Sequence, residues 1–271
     1  MSAQDVTGAP VPPTETPSAT TEAAEPLTNT ARNRQNHREA WPYGNYRNYY
    51  NFRPASSAAP DAPAPAVDAL EGRLALLDPA LFRNKALLDL GTNSGKIPLD
   101  ALRHLGARRA TGVDIDPLLV EDAQAAAEAQ GYADDDPQSD FLAADFMREG
   151  WFSTLEQQRG RHAFDIVTLF SVTKWLHLHN GDAGMQRLFR SLFDFLPPGG
   201  VVVVEPQEWD NYKRAAKKNK DLREVFKAIE MRPPFEDDMR SVGFRLETRI
   251  EREEGGFSRP LLVWRKEAVA A

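Results

Sequence analysis

The chain has 271 residues, a formal net charge of −7 and no cysteine. The lack of cysteine excludes disulfides and thiolate metal sites, so we expect an intracellular protein. No apolar stretch reaches the roughly 18 residues that span a bilayer, and the N-terminus has no basic-then-apolar signal pattern, so we expect no membrane contact.

The N-terminal part of the chain differs in composition from the rest. Residues 1–36 contain almost no large apolar side chains, and proline, alanine and serine dominate residues 55–67. Segments that bury little apolar area do not offset the entropy lost on ordering. We therefore predict a disordered tail over 1–40, a flexible linker over 55–67 and one folded domain over 68–267.

Short apolar runs alternate with helical patterns through the predicted domain. The strand candidates are 86–90, 110–115, 141–143, 164–170 and 201–205, followed after Gly243 by 244–252 and 259–266. Apolar residues recur at helical spacing over 97–105, 118–130 and 185–196. This alternation predicts an α/β fold with a mostly parallel seven-stranded sheet that ends in an antiparallel hairpin.

A glycine-rich turn follows the first strand candidate. Residues 91–95 read GTNSG, which allows close backbone approach to a nucleotide but lacks the G-x-G-x-x-G pattern suited to a pyrophosphate. Asp114, at the end of the second strand, could accept hydrogen bonds from two ribose hydroxyls. Asp145 and Phe146, after the third strand, could bind and cover an adenine. These features favour S-adenosyl-L-methionine and a class I (Rossmann-like) methyltransferase.

A purely structural role for the same residues stays open. Gly91 and Gly95 would then only turn the strand into a helix, and Asp114 would cap the next helix. The order and spacing of all three elements favour the cofactor site. The cofactor-binding residues predicted from these motifs are Asp89, Gly91, Asn93, Gly95, Asp114, Ile115, Asp145 and Phe146.

Three stretches resemble the methylphosphate capping enzymes related to bicoid-interacting protein. They read YGNYRNYYNFR (43–53), SVTKWLHLHNGD (171–182) and VVVVEPQEWDNY (201–212), and the likeness covers 43–266. The chain looks like a short, fungal-type member of that family, which methylates a terminal phosphate of RNA 5′ ends. The resemblance implies a segment over 41–54 through which substrate and cofactor enter, and adds Tyr46 and Ser171 to the cofactor site.

The resemblance also implies the substrate and its surroundings. We expect a monomer that methylates the 5′-terminal phosphate, specifically the γ-phosphate, of a small non-coding RNA. Such an enzyme could keep the capped RNA and associate with ribonucleoprotein proteins. It implies a nuclear location, with part of the protein in the cytoplasm.

A terminal phosphate needs positioning more than a strong base. Its second pKa is near 6, so it is already anionic at neutral pH, and donors that hold it in line with the methyl group suffice. Arg53 lies four residues after Tyr49, which puts both on one helical face. The predicted catalytic residues, all in stretches that match the family, are Tyr49, Arg53, Lys174 and His177.

The sequence leaves other roles open for these side chains. The tyrosines could pack an N-terminal helix onto the core. His177 and His179 alternate and would point the same way in an extended segment, as a metal pair would. With no cysteine and no obvious third ligand, we expect no metal. The chain also departs from the family pattern at Asn51, Phe52, Thr92 and His179–Asn180.

A basic segment follows the third matching stretch. Residues 211–220 contain five basic residues and no acid, so they could follow an RNA backbone while a nearby ring stacks on a base. The predicted RNA-binding residues are Trp209, Tyr212, Lys213, Lys217 and Lys218. A solvated helix is the structural alternative. Two other functions stay open: a non-catalytic RNA-binding scaffold, and a methyltransferase for a small molecule or protein.

Overall fold

A computed structural model describes residues 43–44, 46, 49–52, 69–132, 138–251 and 259–267, without the side chains of Asn51 and Phe52. The strands are β1 (Ala86–Leu90), β2 (Arg109–Asp114), β3 (Ser139–Ala143), β4 (Ile166–Phe170), β5 (Val201–Glu205), β6 (Phe244–Ile250) and β7 (Leu261–Lys266). They form one sheet in the order β3-β2-β1-β4-β5-β7-β6. The first five strands are parallel, and β7 runs antiparallel to β5 and β6. The predicted fold class is confirmed.

Seven α-helices and three short 3₁₀ helices connect the strands within the described part of the chain. The α-helices are α1 (Lys96–Leu105), α2 (Pro117–Ala129), α3 (Trp151–Arg159), α4 (Thr173–Phe195), α5 (Trp209–Lys218), α6 (Lys220–Ala228) and α7 (Glu236–Val242). The 3₁₀ helices are Tyr49–Phe52, Leu74–Leu76 and Pro79–Leu81. None of the helices described is long and apolar enough to cross a membrane.

The strands are apolar on both faces because helices cover both sides of the sheet. In β1, Leu88 and Leu90 pack against α3 and α4, whereas Leu87 packs against α1 on the other face. Successive strand residues point to opposite faces. Asp89 therefore faces the α1 side, as do Thr168 in β4 and Glu205 in β5. Three polar side chains thus lie on one face of neighbouring strands, with Asp89 and Glu205 near the carboxyl ends of β1 and β5 and Thr168 in the middle of β4.

Helix α4 corrects one expectation. The residues around His177 and His179 belong to a 23-residue helical span, interrupted only at Gly181, where φ is 63°. The alternative of an extended segment with both histidines pointing the same way therefore does not apply, because residues two positions apart in a helix lie on different sides. The predicted tail, the predicted linker and Arg53 lie outside the described residues.

Candidate active site

A cavity of about 280 Å³ lies at the carboxyl ends of β1, β2 and β4. Open α/β sheets bind ligands at this edge. Most of the residues predicted to bind cofactor or phosphate line it together: Tyr49, Asp89, Gly91, Asn93, Asp114, Ile115, Asp145, Phe146 and Ser171. The structure therefore brings into one site residues that are spread over more than a hundred positions of the sequence.

The turn after β1 orients the carboxylate of Asp114. The backbone N–H of Asn93 donates to Asp114 Oδ2 at 2.8 Å, and the N–H of Asp116 donates to Oδ1 at 3.1 Å. Burial raises the pKa of Asp114. The cap of α2 is Asp116, which accepts from the N–H of Leu118 at 3.0 Å. Asp114 therefore does not cap the helix, and its carboxylate faces the cavity.

Gly91 and Gly95 have different surroundings. A Cβ on Gly91 would lie 2.8 Å from Val172 Cγ2, and the φ of 80° also favours glycine there. Gly95 does not line the cavity; a Cβ there would lie 2.8 Å from Ala123 and from Phe141. Gly95 thus permits close packing of α1 on its neighbours. The structure thus gives Gly95 a packing role instead of the predicted contact with the cofactor.

Asp89 is a buried carboxylate at the bottom of the cavity. It pairs with Thr168 in the sheet register, and Thr168 Oγ1 donates to Asp89 Oδ1 at 2.6 Å. Burial raises the pKa of Asp89 to about 6, although the hydrogen bond from Thr168 acts in the opposite direction. A cationic group of a ligand would favour the charged form of this side chain.

Arg73 is a functional candidate that the sequence did not reveal. Its side chain is 1% exposed; Nε donates to Glu71 at 2.8 Å, and Nη1 donates to Glu205 at 3.3 Å. Its guanidinium lies over the ring of Phe170, which lines the cavity, at 4.7 Å. Nη2 is buried without a hydrogen-bond partner among the described residues. A buried donor of this kind requires an acceptor, and a ligand carboxylate would supply one.

Ser171 connects the buried ion pair of Arg73 and Glu205 to a second arginine, Arg259. It adopts a positive φ of 59° directly after β4, its hydroxyl donates to Glu205, and it accepts from Arg259 Nη1 at 2.8 Å. Arg259 precedes β7, whose antiparallel direction brings its first residues beside the end of β5. Glu205 thus contacts Arg73 and Ser171 directly, and Ser171 links it to Arg259.

The tyrosine-rich segment borders the cavity. Tyr49 and Tyr50 line it with their rings 5.2 Å apart, and burial raises the pKa of Tyr50. Tyr43 also lines it, with its ring 4.7 Å from that of His179. The side chain of Tyr46 does not line the cavity; its carbonyl accepts from Asn93 Nδ2 at 2.9 Å. The segment and the glycine-rich turn are thus in direct contact.

Lys174 lies beside the cavity rather than in its wall. Its ammonium is 4.1 Å from the ring centroid of Trp175, which lines the cavity. Burial lowers the pKa of Lys174 to about 8, and the nearby cations Arg259, Lys218 and Arg214 act in the same direction. Four cations therefore repel one another at this edge, and an anion bound among them would relieve that repulsion.

His177 is not in the cavity. The residue is 0% exposed, its Nε2 bonds Asp182 Oδ1 at 2.7 Å, and its ring packs edge-on against Tyr212 and Phe235. Asp182 Oδ2 in turn accepts from the N–H of Glu230 at 2.8 Å. The structure therefore contradicts a direct catalytic contact of His177 and gives it a role in anchoring the loop that follows α6. His179, by contrast, lines the cavity.

The predicted RNA-binding residues divide into two groups. Tyr212 is fully buried, so its predicted stacking on a base is wrong; it occupies the apolar face of α5. Trp209 stacks on Phe226 at 4.8 Å and has the Arg232 guanidinium 4.0 Å from its ring centroid, so it is engaged within the protein. The other predicted residues, Lys213, Lys217 and Lys218, are exposed, as are Arg214 and Lys220 of the same basic segment.

Among the described residues no group of three or more acidic or histidine side chains could hold a metal ion.

Sequence comparison adds to the geometry. Residues 87–200 match a methyltransferase domain, and residues 164–266 match the family described as Bicoid-interacting protein 3 (Bin3). The U6 snRNA methylphosphate capping enzyme Amus of Drosophila melanogaster is 35% identical over 240 residues, 83% of this chain and 74% of that protein.

The chain belongs to the Bin3 family. The expected resemblance is thereby confirmed. Another relative, an RNA 5′-monophosphate methyltransferase of Bos taurus, is 31% identical over 211 residues, 68% of this chain and 64% of that protein. A solved structure of a candidate sarcosine dimethylglycine methyltransferase from Galdieria sulphuraria has a TM-score of 0.50 at 14% identity, covering 73% of this chain and 83% of that one. At that identity it shows the fold alone.

The Bin3 family and the class I fold imply S-adenosyl-L-methionine as cofactor, and the cavity fits it. Asp114 presents a carboxylate where ribose hydroxyls would lie, and Phe146 offers an apolar surface beside Asp145 for an adenine. The buried Arg73 Nη2 matches a ligand carboxylate and the buried Asp89 matches a ligand ammonium. The residues present therefore suit an amino acid joined to a nucleoside.

Proposed function

We propose that this protein methylates the 5′-terminal phosphate of a small non-coding RNA, with S-adenosyl-L-methionine as methyl donor. The observation that carries the proposal is that the cavity and a cluster of cations lie together at the carboxyl end of β4. Ser171 lines the cavity and accepts from Arg259, and Arg259 acts electrostatically on Lys174. A phosphate near these cations would lie beside the donor methyl group.

The residues of the cavity would hold the cofactor. Asp114 would accept from the ribose and Asp89 from the amino-acid ammonium. Arg73 lies against the ring of Phe170 rather than in the cavity wall, and its Nη2 would donate to the amino-acid carboxylate. Phe146 covers the adenine, and Asp145 accepts from its amino group. The bound cofactor supplies an electrophilic sulfonium methyl group.

The other residues would hold the phosphate. Lys174, Arg259 and Tyr49, together with Arg53 in the matching stretch, donate to phosphate oxygens and keep one oxygen in line with the methyl group. No general base is needed, because the phosphate is ionised at neutral pH. The Tyr49 hydroxyl is a neutral donor, so it can hold the phosphate in place. A further cation in its position would reduce the nucleophilicity of the attacking oxygen more strongly.

The relatives support an RNA substrate through their names, one a U6 snRNA capping enzyme and one an RNA 5′-monophosphate methyltransferase. We propose the γ-phosphate of a triphosphate end as acceptor and a nuclear location, since snRNA is the named substrate of the first. Retention of the capped RNA is favoured by the exposed lysines of α5, and association with ribonucleoprotein proteins follows from retention. We propose a monomer, because one chain supplies the whole cavity.

Three RNAs that differ only at the 5′ end test this proposal. With labelled cofactor, RNAs ending in a monophosphate or triphosphate should become labelled and the RNA ending in a hydroxyl should not. The ratio of the first two identifies the preferred end. Equal labelling of the hydroxyl end would contradict the proposal, because it would mean methylation of a base or ribose.

Variants locate the phosphate site within the same assay. Arg53→Ala and Tyr49→Phe should each lower methyl transfer about 100-fold, the range for lost transition-state donors, with cofactor affinity unchanged. Arg83→Ala is the control, because Arg83 is exposed and precedes β1 at the opposite edge of the sheet. Turnover beyond one RNA per enzyme would distinguish a releasing enzyme from a scaffold that retains its product.

A further inference from the structure

A second cleft adjoins the cofactor cavity. Phe146 and Met147 line both, so the two spaces are neighbours. The second cleft has a volume of about 230 Å³ and lies between the loop after β3 and the middle of α4. Its walls contain three exposed arginines, Arg148, Arg187 and Arg190.

The three guanidinium groups have no ion-pair partner within the described ranges. Several other surface arginines are paired, such as Arg240 with Glu236 at 2.7 Å and Arg265 with Glu247 at 2.6 Å. Two carboxylates, Glu149 and Asp194, also line the cleft but lie outside ion-pairing distance of the arginines. The cleft therefore has excess positive charge, which favours an anionic ligand.

Helix α4 connects the arginines to the cofactor cavity. Asn180 lines that cavity, and a Cβ on Gly184 would lie 2.3 Å from the Asn180 Cβ and 3.7 Å from Arg187 Nη2. The Arg187 guanidinium thus leans back along the helix toward the cavity. Because the helix is interrupted at Gly181, helical geometry applies from Asp182 to Arg187, a rise of about 7.5 Å, which is about two nucleotides at the rise of a stacked strand.

We propose that Arg148, Arg187 and Arg190 bind backbone phosphates of the substrate RNA a few nucleotides from its 5′ end. This inference rests on the proposed function. Phosphates fit better than bases, because neither aromatic ring of the cleft is open to a base of the RNA: Phe146 also lines the cofactor cavity, where it is assigned to the adenine, and Phe152 is only 9% exposed. Guanidinium groups bind phosphate oxygens through paired hydrogen bonds without reading sequence.

The test compares a long RNA and a dinucleotide, both carrying the same 5′ phosphate end. The variant Arg148→Gln, Arg187→Gln, Arg190→Gln should raise KM for the long RNA about tenfold at low salt and reduce the dependence of log K on log salt by up to about 2. KM for the dinucleotide and kcat for both should not change. The matched control is Arg83→Gln, Lys85→Gln, Arg108→Gln, which removes equal charge at the amino ends of β1 and β2.

Two results would overturn the inference. An unchanged KM for the long RNA would mean that the cleft accepts a different anion, such as an acidic protein segment. An equal rise in KM for both RNAs would mean that the arginines act within the catalytic cavity. If the wild-type protein methylated neither RNA, the proposed function would fail separately, and equilibrium binding of the long RNA would still test the cleft.

Discussion

Replacing Asp114 by alanine tests the cofactor site most directly. The carboxylate is 6% exposed and lines the cavity, so two hydrogen bonds from ribose hydroxyls would reach a charged acceptor away from solvent. Their loss should weaken binding by about 2–3 kcal/mol. That corresponds to a rise of about 30- to 150-fold in the Kd of the demethylated cofactor, measured by titration calorimetry.

The same substitution also removes two hydrogen bonds within the protein. The N–H groups of Asn93 and Asp116 lose their acceptors, which should lower the free energy of unfolding by about 2 kcal/mol. Asp116→Ala is therefore the matched control. It removes the cap of α2, which costs about 1 kcal/mol of stability, and leaves the cavity wall intact.

The comparison separates recognition from folding. We expect Asp116→Ala to be less stable than wild type but to bind the cofactor with the same Kd. Calorimetry should be done well below the unfolding temperature of both variants. A Kd for Asp114→Ala within twofold of the wild-type value would refute the assignment of Asp114 as the ribose acceptor.

Three further predictions concern other parts of the molecule. The pKa of Asp89 in the folded protein is about 6, whereas the ordinary value is near 3.9. The free energy of unfolding relative to Asp89→Asn should therefore be greatest below pH 4 and fall by about 3 kcal/mol as the pH rises through 6. Urea unfolding of the two ligand-free proteins measures this difference, and a difference that does not change with pH would contradict the prediction. His177→Phe should lower the unfolding free energy by about 1–2 kcal/mol while kcat stays unchanged; a large fall in kcat would restore a catalytic role for His177. Replacing Lys217, Lys218 and Lys220 of the basic segment by alanine should weaken RNA binding and reduce the slope of log K against log salt by up to about 2. Cofactor affinity should not change and is the internal control. An unchanged slope would contradict the prediction.

Local patterns predicted the fold and much of the cofactor site. The predicted first and fifth strands coincide with Ala86–Leu90 and Val201–Glu205, because buried parallel strands are short, mostly apolar runs, here with an acid near the carboxyl end. Asp114 could be located because it ends such a run. The ends of parallel strands meet at one edge, so its position in the sequence also gives its position in space.

Residues whose partners are distant in the sequence could not be predicted in this way. Arg73 bonds Glu205 across 132 positions, and nothing beside Arg73 indicates that a strand end will neutralise it. An arginine between apolar residues, two positions after an acid, was the available signal. Tyr212 lies in a basic segment but on the buried side of α5, because the helical period turns it away from the lysines.

The reversed direction of β7 determines where the domain can be attached to a surface or a label. Its first residues lie beside the end of β5, with Leu262 opposite Val204, and its last residues lie beside the start of β5, with Arg265 opposite Val201. Arg259, just before β7, therefore lies at the edge of the sheet that holds the cavity, and the end of β7 lies at the opposite edge. A fluorophore or tether joined beyond Lys266 should leave the approach of a long RNA unobstructed, whereas one inserted before Leu261 should block it.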